Sequence, residues 1–196
     1  MNQFEYIMVL VSIIVGLGIA HILLGVGGII DRVSGHGERL SLSLAHAAWL
    51  GMVFLWMVLF WWWEYRFSVL EPTWTVGLYF FLVLYAVVLF LLAVILVPRT
   101  WDGVASLDDY LIRRRVAFYS MLLFGTMLDV LDSYLKGGWS YILDAGPWAW
   151  GFWIALVPAC LVGVRSRTVR HHTMMAVWFF LWQVAVGFLT LPTLGF

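Results

Sequence analysis

Three ionisable residues share one helical face in the stretch FYSMLLFGTMLDVLDSYLK, residues 118–136. Gly125, Asp129, Asp132 and Lys136 recur at i, i+4, i+7 and i+11, so a helix places them on the same side. Asp132 and Lys136 can pair within that helix, whereas Asp129 has only a like charge within reach. A carboxylate in an apolar helix is expected to face a bundle interior or a water-filled cavity. Asp129 is therefore the first candidate for binding a cation. The alternatives are an ion pair across helices and protonation of Asp129 through a raised pKa.

Two histidines lie inside apolar stretches near one predicted boundary. His21 lies roughly 15 Å and His46 roughly 10 Å from that boundary, counted along helices from Asp31 and Arg39. Two imidazoles at similar depth on neighbouring helices could bind a metal ion or a haem iron. Each ring could instead form a hydrogen bond with a neighbouring helix. No ligand-spacing motif accompanies the pair, so the metal or haem assignment depends on depth alone.

Tryptophan is concentrated in FLWMVLFWWWEYRF, residues 54–67. Successive helical residues point about 100° apart, so Trp61, Trp62 and Trp63 cannot all line one cleft. At least one of them must anchor the helix at a membrane interface. Trp63, which has Glu64 beside it, is the candidate for the wall of a binding site.

The chain that positions these residues has 196 residues, of which 64% are hydrophobic and 11% are charged. A soluble domain carries about 25% charged residues, so most of this surface is expected to face lipid. We predict an all-α polytopic membrane protein with one transmembrane domain, 1–196, because several stretches approach the length that crosses a bilayer. The predicted spans are 4–30, 40–63, 74–97, 116–135, 148–164 and 174–194, and residues 105–115 are predicted to form a surface helix.

Basic residues cluster in alternate loops of this predicted bundle. All Lys and Arg residues except Arg66 and Lys136 lie in the loops that follow spans one, three and five. The positive-inside rule therefore predicts that these three loops are cytoplasmic and that both termini lie outside. The opposite end is acidic and contains Glu5, Glu64, Glu71, Asp129, Asp132 and Asp144. The chain has no net charge, yet its outer end is expected to be negative and its inner end positive.

Small residues recur every four positions in the first apolar stretch, at Ser12, Gly16 and Ala20. This small-xxx-small pattern lets helices approach closely in lipid, so these three residues are predicted to form a packing face.

The same N-terminal stretch resembles the start of a group of uncharacterised small bacterial multi-pass proteins. The residues that carry the resemblance are Glu5, Gly16, Gly18, His21 and Gly25. The resemblance implies a bacterial inner membrane and implies no activity.

Charge and composition also exclude several functions. Zero net charge argues against nucleic acid as a partner, since phosphate binding needs a basic excess. A single cysteine, Cys160, cannot form an intramolecular disulfide. Neither a zinc-protease motif, nor a phosphate-binding glycine loop, nor a serine-hydrolase elbow occurs.

The leading expectation is a non-enzymatic membrane protein that binds or passes a cationic or amphipathic solute, as a channel or carrier does. Asp129 would be the charge within the membrane. The expected companions near the outer mouth are Asp132, Glu5, Glu64 and Trp63.

Two alternatives remain open from the sequence. One is a structural or accessory subunit of a larger membrane complex. The other is a haem or metal redox protein that uses His21 and His46. Membrane lipid is the expected surrounding, and further copies of the chain or another membrane subunit are the expected protein partners.

Overall fold

The computed structural model describes residues 3–35, 39–70 and 73–190, and this part of the chain is helical without strands. Five segments are long and apolar enough to cross a membrane, which confirms the predicted all-α class with several membrane-length helices. The helices are α1 (Gln3–Val33), α2 (Leu44–Glu64), α3 (Arg66–Leu70), α4 (Val76–Leu96), α5 (Leu107–Asp144), α6 (Pro147–Arg165) and α7 (Val169–Thr190). The five membrane-length segments are α1, α2 together with α3, α4, α5 and α6.

Two predictions extend beyond the described residues. The sixth predicted span, 174–194, coincides with α7 up to residue 190 and then leaves the described part of the chain. Glu71, which was counted among the acidic residues of the outer end, also lies outside it.

The predicted surface helix 105–115 is not a separate element, because it is the first part of the long helix α5. Ser106 caps α5 by accepting a hydrogen bond from the Asp109 backbone N–H at 3.3 Å. Asp108 and Asp109 lie in the first turn, where acidic side chains favour a helix N-terminus. No helix-breaking residue follows, so the helix continues directly into the predicted span 116–135.

The other end of α5 also continues beyond its prediction, through two glycines that a sequence reading assigns to a loop. Gly137 and Gly138 have non-helical backbone angles, and they kink α5 between Lys136 and Trp139. Gly138 has φ +67° and ψ −158°, a conformation that favours glycine. The kink redirects the last turns of α5, residues 139–144.

Helix α1 packs along α4 through a different face from the predicted one. Gly18 lies against Met57 and the Phe90 backbone, and Gly25 lies against Val97, so α1 and α4 run in the same direction. The predicted small-residue face does not form this contact, and its role in packing against another chain stays a prediction. The residues of that face are only partly buried or exposed: Ser12, Gly16 and Ala20.

The reason is the register of the bulky residues on α1. The buried positions of this helix recur every three to four residues on one side, which fixes how α1 rotates against its neighbours. That rotation turns the small-residue stripe outward.

An aromatic core joins the helices around Trp49, which is fully buried. The ring of Trp49 makes edge contacts with Phe118 and Tyr119 of α5 and stacks on Phe179 of α7. Ring pairs of this kind add to the stability that their buried area provides. This core fixes α2, α5 and α7 relative to one another.

We call the end of the bundle with Arg113–Arg115 the basic end and the opposite end the acidic end. At the basic end, backbone hydrogen bonds join the segment between α1 and α2 to the segment between α4 and α5. The Ser41 N–H donates to the Ala105 carbonyl at 2.8 Å, and the Leu107 N–H donates to the Ser41 carbonyl at 3.0 Å. We call this pair of bonds the loop bridge.

Side chains add further links at the basic end. The Tyr110 hydroxyl donates to the Ile95 carbonyl at 3.0 Å, and Arg115 Nε donates to the Val164 carbonyl at 3.2 Å. These links connect α5 to the ends of α4 and α6.

Candidate functional site

A partly enclosed cavity of about 360 Å³ opens between α2, α5, α6 and α7 toward the acidic end. Cavities of this size accommodate small organic molecules. Its wall combines aromatic rings with a few polar side chains, among them Trp56, Trp63, Asp129, Asp132, Trp153 and Gln183.

Asp129 is held on this wall by two neutral donors. The Tyr85 hydroxyl of α4 donates to Oδ1 at 2.5 Å, and Trp153 Nε1 of α6 donates to Oδ2 at 2.6 Å. Trp56 Nε1 in turn donates to the Tyr85 hydroxyl at 3.1 Å, which orients that donor. None of the described residues forms an ion pair with Asp129. The carboxylate is therefore fixed in direction, and within the described part of the chain it has no cation in direct contact.

A second acidic group adjoins the cavity as a buried charge triad of Glu64, Asp132 and Lys136. The Lys136 ammonium donates to Glu64 Oε1 at 3.0 Å and to Asp132 Oδ2. Each carboxylate has one buried oxygen, Glu64 Oε2 and Asp132 Oδ1, that accepts no hydrogen bond from the described residues. Two carboxylates thus share one ammonium, and the triad carries a net negative charge when all three groups are ionised.

Gln183 of α7 is the third polar feature of the wall. It is only 7% exposed, and it forms no hydrogen bond with any residue that the structure describes. A glutamine amide can both donate and accept hydrogen bonds. Its donor and acceptor groups are therefore available to a molecule in the cavity.

The predicted mouth residues have three different environments. Trp63 lines the cavity, whereas Trp61 and Trp62 are exposed, as their helical spacing requires. Glu64 is 1% exposed and is paired with Lys136, so it lies behind the cavity wall as part of the charge triad. Glu5 is exposed on α1, which contacts α2 and α4 and contributes no residue to the cavity wall.

The two histidines of the metal or haem hypothesis are held separately. His46 Nε2 forms a 2.7 Å hydrogen bond with the Leu96 carbonyl, and so it carries the proton. His21 Nε2 is buried without a hydrogen-bond partner among the described residues. Within the described part of the chain, no group of three or more His, Cys, Asp or Glu side chains is arranged to hold a metal ion.

Sequence reasoning did not assign the donors that hold Asp129. Tyr85 lies in the middle of α4, whose other central residues are apolar, and an isolated hydroxyl at such a position signals a buried partner. Trp153 had no comparable signal, because tryptophan is frequent throughout the chain.

Comparisons with known proteins find no match: no family model fits the chain, and no curated protein or solved structure matches it. A function can therefore be proposed only from the geometry of the cavity.

Proposed function

We propose that the chain is a six-helix integral membrane protein of a bacterial inner membrane that binds or passes a cationic or amphipathic solute through the cavity around Asp129. In this proposal α7 is the sixth span and the acidic end lies outside the cytoplasm. The distribution of basic residues and the N-terminal resemblance support this placement.

The observation that carries the proposal is the unpaired carboxylate of Asp129. Tyr85 and Trp153 supply hydrogen bonds but no positive charge. A carboxylate that is partly removed from water is stabilised by a nearby cation. A cationic solute in the cavity supplies that missing charge.

The surroundings of Asp129 favour the same ligand. The charge triad adds two carboxylates and only one ammonium, so its field also attracts positive charge. The rings of Trp56, Trp63 and Trp153 present faces and edges that accommodate a cation or an apolar body.

Asp129→Asn tests the proposal, because it removes the charge and keeps the shape of the side chain. We expect it to weaken binding of organic cations by about tenfold or more, as expected for the loss of a charged contact. Binding is measured by quenching of tryptophan fluorescence in detergent or nanodiscs, and flux by uptake into liposomes that contain the protein.

Asp31→Asn is the matched control, since Asp31 is exposed on α1 and takes no part in the cavity. The control should leave binding and flux unchanged. If Asp129→Asn also leaves binding and flux of every tested cation unchanged, the proposal is wrong.

A second function, as an accessory subunit of a membrane complex, is favoured by the outward face of α1. A side chain at Gly16 would meet no atom within 4 Å, so this small-residue face is open to another helix. Purification in mild detergent distinguishes the two functions. A partner protein that copurifies in a fixed ratio, and that is lost in Gly16→Val, would support the function as an accessory subunit.

A further inference from the structure

The cavity defines the chemical class of its ligand more closely, on the basis of the proposed function. Its volume of about 360 Å³ far exceeds that of a single metal ion. Phe152 and three tryptophans form much of its wall, which suits an apolar or aromatic body. The ligand is therefore organic, with a charged group for Asp129.

The hydrogen bonds of Asp129 indicate what kind of charged group fits. Each carboxylate oxygen accepts one hydrogen bond, from Tyr85 or Trp153, and a carboxylate oxygen can accept two. An ammonium with an N–H can donate to a remaining lone pair and form a charge-assisted hydrogen bond. A quaternary ammonium has the same charge but cannot donate, so it gains only the electrostatic attraction.

Gln183 indicates a second polar group on the ligand. The residue lies on the α7 wall of the same cavity, and its amide has no hydrogen-bond partner among the described residues. An amide on a cavity wall favours a ligand that presents a matching hydrogen-bonding group over one that does not. A hydroxyl or a carbonyl on the ligand meets this requirement.

We infer that the cavity selects an amphipathic organic amine that has a protonated N–H for Asp129 and a separate hydrogen-bonding group for Gln183. The aromatic wall holds the apolar part that joins the two. Quaternary ammonium compounds and simple amines without the second group bind more weakly.

Four related probes test this inference in the purified, membrane-reconstituted protein. They are N,N-dimethyl-2-phenylethylamine, its 4-hydroxy derivative, and the trimethylammonium counterpart of each. Binding is measured by isothermal titration calorimetry at a pH at which both amines are protonated. We expect each tertiary amine to bind about tenfold or more tightly than its trimethylammonium counterpart, and the hydroxyl to add a further gain.

Two variants assign each preference to its residue. In Asp129→Asn, the ratio between tertiary and quaternary probes should fall toward one, which a purely steric effect of the extra methyl group would not produce. In Gln183→Leu, the hydroxylated probes should lose their advantage while the probes without a hydroxyl keep their affinity. Gln3→Leu is the matched control, because Gln3 is exposed on α1 outside this cavity.

The outcomes separate the inference from the proposed function. Equal binding of tertiary and quaternary probes by the unmodified protein would overturn the N–H requirement and leave the cation function standing. An unchanged hydroxyl advantage in Gln183→Leu would overturn the role of Gln183. The proposed function itself would be overturned if none of the four probes bound and if Asp129→Asn also left the binding of every other tested cation unchanged. Thermal unfolding of each variant verifies that it is folded.

Discussion

Lys136 is the most constrained single residue of the acidic end. It is 3% exposed and contacts two carboxylates that belong to different helices, Glu64 of α2 and Asp132 of α5. Its ammonium also lies 5.1 Å from the ring centroid of Phe67 in α3. The side chain therefore connects three helices next to the cavity.

Lys136→Met should destabilise the protein strongly, because it leaves two buried carboxylates without a cation. The loss of one partner from a buried ion pair costs about 3–5 kcal/mol. Denaturant unfolding in detergent micelles measures this change. The triple variant Lys136→Met, Glu64→Gln and Asp132→Asn should recover much of the loss, and a single variant as stable as the unmodified protein would contradict the structural role.

The spacing of residues along one helix is readable from the sequence, but their partners on other helices are not. The i, i+4 rule correctly paired Asp132 with Lys136, because both lie on α5. Glu64 joins the same ammonium from another helix, and its pairing depends on the rotation of α2 about its axis. One sequence does not specify that rotation, so the pairing of Glu64 with Lys136 could not be predicted.

At the scale of elements, the kink in α5 shapes one side of the cavity. The residues after the kink, Tyr141 and Asp144, line the cavity together with Asp129 and Asp132, which precede it. A straight α5 would direct its last turns away along the helix axis. Gly138 is therefore a determinant of the cavity, although its own atoms do not line it.

Gly138→Ala should disturb this part of the cavity. Its backbone, at φ +67° and ψ −158°, is strongly unfavourable for a residue with a Cβ, at a cost on the order of 1–3 kcal/mol. We expect weaker cation binding and a lower unfolding midpoint. Gly27→Ala is the control, because a methyl group there meets no atom within 4 Å, and it should leave both quantities nearly unchanged.

The contact between α1 and α4 gives a second test at this scale. A Cβ at Gly18 would lie 2.8 Å from Met57 Cε and 3.4 Å from the Phe90 backbone, whereas Gly16 has open space. Gly18→Val should therefore lower thermal stability in detergent, and Gly16→Val should not. Equal effects of the two substitutions would contradict the observed rotation of α1.

Hydropathy predicted the positions of the helices better than their ends. A polar segment such as 105–115 appears as a break in hydropathy even where the backbone continues as one helix, as α5 does. The two glycines after Lys136 lie beyond the predicted span 116–135 for the same reason, since they also break the hydropathy although α5 continues through them. Helix ends depend on capping, as by Ser106, more than on hydropathy.

At the scale of the whole molecule, the bundle has a basic end and an acidic end, and the cavity opens toward the acidic one. Large apolar side chains cover much of the outer surface, among them Leu24, Val76, Ile154, Trp178 and Phe188. A surface of this kind suits a lipid environment.

The proposed orientation is testable with single cysteines in a Cys160→Ser background. Ser34 and Ser140 are both exposed and lie at opposite ends of the bundle. A membrane-impermeant thiol reagent applied to intact bacterial spheroplasts should label Ser140→Cys and not Ser34→Cys. The reverse pattern would show that the basic loops lie outside.

The loop bridge bears on where a solute would exchange in the proposed function. At the basic end, backbone hydrogen bonds join the α1–α2 segment to the α4–α5 segment, and side chains join α5 to α4 and α6. The opposite end contains the kink at Gly138, and two residues that follow it, Tyr141 and Asp144, line the cavity. In the proposed function, a solute would therefore enter and leave the cavity at the acidic end, and passage through the basic end would require the hydrogen bonds of the loop bridge to break first.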